Sequence, residues 1–155
     1  MADTILNQWT RSNCGIFATM AILLHMWVII DVAKLSEVKE VFVPRIESRF
    51  IEMGLIKQFV KLPTPKLVDF WLSRWEYILA STSRWDFTLE DNEGNNLEFD
   101  WKSQHFFVII KSEWDRWKCQ NSWGAEWNWD GCFYMKKSEF KYLLTPRRIV
   151  WVQKS

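Results

Sequence analysis

An α+β domain is what this 155-residue sequence predicts, and three features of the chain predict it. Residues 14–30 form a long apolar stretch without strand-like alternation. The β-branched and aromatic runs lie in the second half. The two textures do not alternate, so helices come first and strands after, unlike the βαβ order of a parallel sheet. One domain with its own core is expected at this length, spanning residues 1–155. A composition shift near residue 78 divides it into a helical lobe (about 1–77) and a β-lobe (about 78–155).

The elements follow in chain order. Residues 1–13 are polar and irregular, ending in QWTRSN. Residues 14–30 read as one helix, apolar almost all round and therefore central in the core, with Asn13 of the type that caps a helix start. A second helical stretch falls within 35–60, around IESRFIEMGLIKQF. Pro63 and Pro65 then break the chain, and Thr64 caps a helix from Pro65 to Trp75. Beyond it EYILAST reads as a strand and residues 91–96 (DNEGNN) as a turn. FFVII (106–110), WKCQNSW, CFYMK and RRIVWV (147–152) read as strands. The WKCQNSW and CFYMK runs flank a hairpin.

Charge excludes some functions. The chain has 20 basic and 19 acidic residues, a net charge of +1, which gives no support to nucleic-acid or membrane-surface binding. The apolar run Ile16–Ile30 is shorter than the ~20 residues of a membrane span. Asp3 precedes it and Asp31 follows it, unlike the flanks of a signal peptide, so a buried helix and a cytoplasmic location are expected. Twelve tryptophans are present; they serve either as large rigid core fillers or as the lining of a peptide groove.

Three cysteines, Cys14, Cys119 and Cys132, are an odd number without dense spacing, which argues against a disulfide-stapled module. Cys119 and Cys132 flank the hairpin and read as reduced core residues, although which way they face is open. His25 and His105 are the only histidines and lie far from any CxxC pair, so no metal is expected.

Cys14 stands at the start of the central helix, where the helix dipole favours thiolate over thiol. By position alone, a nucleophile and a small buried hydrophobe remain equally open. Gln8 lies six residues earlier. Its side-chain amide, with the Cys14 backbone N–H, would make a two-donor oxyanion hole, although a lone Gln is ordinarily a solvated loop residue. His105 opens the strand HFFVII, where its ring can face a cleft or be a satisfied structural histidine. His25 lies eleven residues along the helix from Cys14, about 16 Å at 1.5 Å per residue, too far to reach the thiol. His105 is therefore the one histidine that can serve Cys14.

The segment CQNSWGAEWNWDGCFYM (119–135) is the most specific text in the chain. Together with QWTRSNC and QHFFVII it resembles the papain family of cysteine proteases. That family carries a Gln upstream of a nucleophilic Cys at the start of a long helix, then a His at a strand start, then Asn-Ser-Trp-Gly-x-x-Trp-Gly-x-x-Gly. Asn121, Ser122, Trp123 and Gly124 match directly, and Trp127 and Gly131 fall at the expected offsets. The Gln8–Cys14 and His105–Asn121 spacings also fit. The chain departs from the pattern at Gly15, where the family has Trp, at Ser12, where it has Gly, and at Asn128, where it has the second Gly. Residues 31–100 match the family weakly and are shorter than its norm, so the family's substrate-pocket residues are not transferred.

The resemblance implies a reduced papain-like fold without an inhibitory propeptide ahead of Cys14. A helical lobe built on the long central helix would pack on a small antiparallel β-lobe, with the groove between them. It implies that Cys14 attacks a peptide carbonyl, that His105 shares its proton as an ion pair, and that Asn121 orients the imidazole. Trp123 would cover the Asn–His contact, and Gln8 would bind the oxyanion. The implied function is a cysteine-type endopeptidase or isopeptidase working through an acyl-thioester. No cofactor is implied, the partner is a peptide or protein substrate, and the chain is expected to be a monomer. The alternatives are a non-catalytic interaction module of the same fold, or a thiol acyltransferase or deamidase using the same triad.

Overall fold

A computed structural model of the chain describes residues 14–40, 42–82, 89–97, 105–121 and 131–152. Helix α1 (Cys14–His25) is apolar on every side, and Gly15 through Leu23 are all buried. Such a helix must be covered all round. Its one polar side chain in this stretch, Thr19, is fully buried and donates its hydroxyl to the Gly15 carbonyl at 2.8 Å.

The helix ends at His25 rather than running on to Ile30. Trp27 takes a left-handed conformation (φ 61°), with the Trp27 N–H bonded to Leu24 O and the Val28 N–H to Leu23 O. This is a Schellman stop, formed without the usual glycine. A four-residue helix, α2 (Val32–Leu35), follows, capped by Asp31, whose carboxylate accepts from the Lys34 N–H. Helix α3 (Val43–Glu52) also stops earlier than its apolar pattern suggests. Gly54 (φ 72°) turns the chain, with the Gly54 N–H on Ile51 O and the Leu55 N–H on Phe50 O. The remainder of that stretch is not helix: it forms strand β1 (Ile56–Lys61). Helix α4 (Pro65–Leu72) starts as expected, with Thr64 Oγ1 accepting from the Leu67 N–H. It ends short of Trp75, which is again left-handed (φ 67°).

The remaining elements are β2 (Ile78–Thr82), β3 (Leu89–Glu90), β4 (Asn96–Leu97), β5 (His105–Glu113), β6 (Arg116–Gln120), β7 (Cys132–Lys136), a 3-10 turn (Lys137–Tyr142) and β8 (Leu144–Trp151). The turn at 91–96 joins β3 to β4, where Asp91 Oδ1 accepts from the Glu93 and Asn95 amides and Gly94 supplies φ 84°. All eight strands form one antiparallel sheet, ordered β1-β8-β2-β5-β6-β7-β3-β4. The fold is mixed helix and antiparallel sheet. The first half also supplies a strand, because β1 pairs with β8. Among the described residues, no helix is long and apolar enough to cross a membrane.

Strand alternation sorts the core into two clusters. On one face Leu79, Phe106, Val108 and Ile149 pack with α1 and with Ile46 and Phe50 of α3. On the other, Ile78, Ala80, Phe107, Ile109, Trp117, Cys119 and Phe133 pack with Val68 of α4. The tryptophans divide too: Trp117 is fully buried, while Trp27, Trp75 and Trp114 are exposed.

At Gly15 three elements meet. A Cβ there would fall 2.5 Å from Ile46 Cδ1 and 3.1 Å from the Phe106 ring. A Gly15→Ala chain is therefore expected to lose about 1–3 kcal/mol in urea unfolding. Adding Ile46→Val, which deletes the offending Cδ1, should recover part of that loss. Additive losses from the two substitutions would rule the clash out.

Candidate active site

Three of the predicted residues come together at the end of β5. Cys14 is the first residue of α1, and its Sγ accepts the backbone N–H of Phe106 at 3.4 Å. The sulfur therefore lies beside the residue that follows His105. His105 Nε2 and Asn121 Oδ1 are 2.9 Å apart. An amide oxygen can only accept, so Nε2 carries the hydrogen and Nδ1 of the neutral ring is left with its lone pair. Gln8, Trp123 and the expected cap Asn13 lie outside the described residues.

Each position has a structural cause. His105 opens β5 opposite Thr82 of β2. Thr82 is fully buried, and its hydroxyl donates to the Tyr142 carbonyl at 3.0 Å, which ties this end of β2 to the approach to β8. Asn121 follows the last residue of β6. Its backbone N–H bonds to Gly131 O at 2.9 Å, where the chain returns to begin β7. Gly131 takes φ 75°, a conformation in which other residues are strained, which explains a glycine at that spacing. The Phe106 amide had no signal of its own in the sequence, because a backbone donor is the same at every residue but proline.

His105 and Asn121 are both buried, and Cys14 is half-buried. Burial pushes the Cys14 thiol up, against the pull of the Phe106, Gly15 and Cys14 backbone N–H groups, and burial wins. Burial likewise lowers His105 to about 4, opposed by its bond to Asn121. Desolvation thus works against the charged form of each group, and the ion pair that the family resemblance implies would have to form against that cost.

The other titratable candidates are structural. His25 Nε2 is 2.7 Å from Trp75 O, and its ring stacks on Tyr77 at 3.5 Å. Cys119 lies opposite Phe133, and Cys132 opposite Gln120. The one-residue offset sends the two thiols to opposite faces of the sheet, and neither is in a disulfide.

Two measurements follow from this desolvation. The folded value of His105 lies below its ordinary 6.5, so between those values the unfolded chain binds the extra proton. Stability present above pH 6.5 should fall as the pH approaches 4, by about 3 kcal/mol in full. Urea midpoints across that range should show this loss, and His105→Gln should flatten it. Iodoacetamide should alkylate Cys14 slowly at neutral pH and faster only above pH 9, read by peptide mass. A rate plateau from about pH 4 to 8 would instead indicate a resting ion pair.

No known family model matches the chain, and no curated protein matches it. What the site does is therefore a matter of its own chemistry.

Proposed function

We propose that the chain is a cysteine-type peptidase, an endopeptidase or isopeptidase, with Cys14 as nucleophile and His105 as base. The observation that carries this is the His105–Asn121 bond of 2.9 Å, formed next to the amide that holds the Cys14 sulfur. A structural histidine needs only some partner. A histidine whose Nε2 is spent on a buried carboxamide, beside a cysteine at a helix N-terminus, has the nucleophile–base–orienter order of a triad.

The steps follow from these roles. The Cys14 sulfur attacks the peptide carbonyl carbon while its proton passes to His105 Nδ1. The oxyanion is met by the Cys14 N–H, with Gln8 as the second donor. His105 then gives its proton to the leaving amine, and the C–N bond breaks to leave a thioester. A water molecule attacks the thioester as its proton passes to His105, and the acid departs as Cys14 recovers its thiol. Asn121 keeps the hydrogen on Nε2 throughout. Acyl transfer would differ only in the acceptor, and deamidation only in the amide attacked.

A second reading, a binding module of the same fold without catalysis, is favoured by the burial of the thiol and the imidazole, which works against their charged forms. A substrate-like epoxide separates the two. It should label Cys14 alone, and Cys14→Ala should abolish labelling together with hydrolysis of a peptide library. Asn121→Ala should lower kcat/KM on the order of 10²-fold with the fold intact. Labelling that persists in Cys14→Ala would remove Cys14 from its role.

A further inference from the structure

The far end of α1 carries a second feature that the chemistry at Cys14 does not use. A cavity of about 540 Å³ opens there, between the end of α4 and strands β5 and β6. That volume is in the range of small-molecule sites. Leu72, Ile110, Tyr77 and Trp75 supply its apolar walls, and Lys111 and Lys118 also line it. Asp69 also lines it, but this carboxylate is engaged by the Lys137 ammonium at 3.0 Å and the Trp117 indole N–H at 2.7 Å. Glu113, which is not part of the lining, pairs with the Lys111 ammonium at 3.7 Å. The cavity thus joins hydrocarbon walls to an excess of positive charge.

Among the described residues three tryptophans, Trp27, Trp75 and Trp114, are exposed and left-handed, and Trp75 is the one that lines the cavity. It is 81% exposed and left-handed (φ 67°), a conformation disfavoured for any residue with a Cβ. Glycine would end α4 there with less strain. Its carbonyl is held by His25, whose ring is stacked on Tyr77, so the strained backbone is pinned to the wall of the cavity. A large aromatic ring kept exposed at a strained position, at the mouth of a cavity, is a pattern of recognition surfaces.

We propose that this cavity binds a small hydrophobic carboxylate, with its hydrocarbon body against Trp75, Leu72 and Ile110 and its carboxylate between Lys111 and Lys118. A free aryl or alkyl acid and the carboxyl terminus of a peptide share this chemistry. The inference does not rest on the role given to Cys14, which lies eleven residues away along α1.

The test uses 3-phenylpropionate, its neutral amide, and an acetylated tripeptide ending in phenylalanine with a free or amidated terminus. The chain has two histidines, so imidazole NMR signals separate this cavity from the site at Cys14. The acid should shift the His25 signal saturably and leave His105 unmoved, and the amide should bind at least fivefold more weakly. Lys111→Gln with Lys118→Gln should weaken the acid by a similar factor. Trp75→Gly should also weaken it while raising the urea midpoint, because glycine relieves the left-handed backbone. If Trp75→Gly fails to fold, the lysine pair still decides the matter. Tripeptide binding that requires the free terminus and the lysines would identify a chain end as an occupant; binding of 3-phenylpropionate alone would identify a free acid. Equal affinity of acid and amide, an unchanged affinity in the lysine variant, or movement of His105 in place of His25 would overturn the proposal.

Discussion

Helix α1 has no solvent side, and much of the molecule is arranged to satisfy that fact. Phe106, Val108, Leu79 and Ile149 cover it from the sheet, and Ile46 and Phe50 cover it from α3. Because it is held on all sides, its first residue cannot drift, and the Cys14 sulfur is fixed against the Phe106 amide. Close packing at Gly15 sets how near the helix start can come to β5. An added methyl group there must displace a buried side chain, since protein interiors hold little spare volume. The tryptophan that the papain family carries next to the nucleophile has no room in this arrangement.

The same burial shapes the electrostatics. A thiol and an imidazole brought out of water favour their neutral forms, and three backbone amides directed at the sulfur do not reverse that preference. Excluding more water from the site would raise the cost of their charged forms further. The low dielectric also strengthens the His105–Asn121 bond, so tautomer and ring orientation are set before any ligand arrives.

Much of this was legible from residue types. The all-round apolar character of α1, the Thr64–Pro65 helix start, the Asp91–Asn96 turn and the later strands could be read because local chemistry and final structure agree there. So could the meeting of Cys14, His105 and Asn121, through their spacing within a longer motif. The helix ends were less legible. Trp27 and Trp75 occupy left-handed positions that nothing in a tryptophan announces, and two helices accordingly stop earlier than their apolar patterns suggest. Strand β1 was hidden because IKQFVK continues a helical pattern across Gly54, and only its pairing with β8 decides the matter. The opposition of burial to both charged forms was beyond reach, because desolvation depends on the surrounding packing rather than on the residues themselves.

The bond from the Asn121 amide to the Gly131 carbonyl closes the chain excursion between β6 and β7 at its base. Both ends are anchored in the sheet, so Asn121 takes its place from the ladder. Gly131 thereby acts on the site without touching it: a side chain there would be strained at φ 75°, and any relaxation of that strain would pull on the carbonyl that holds the Asn121 amide.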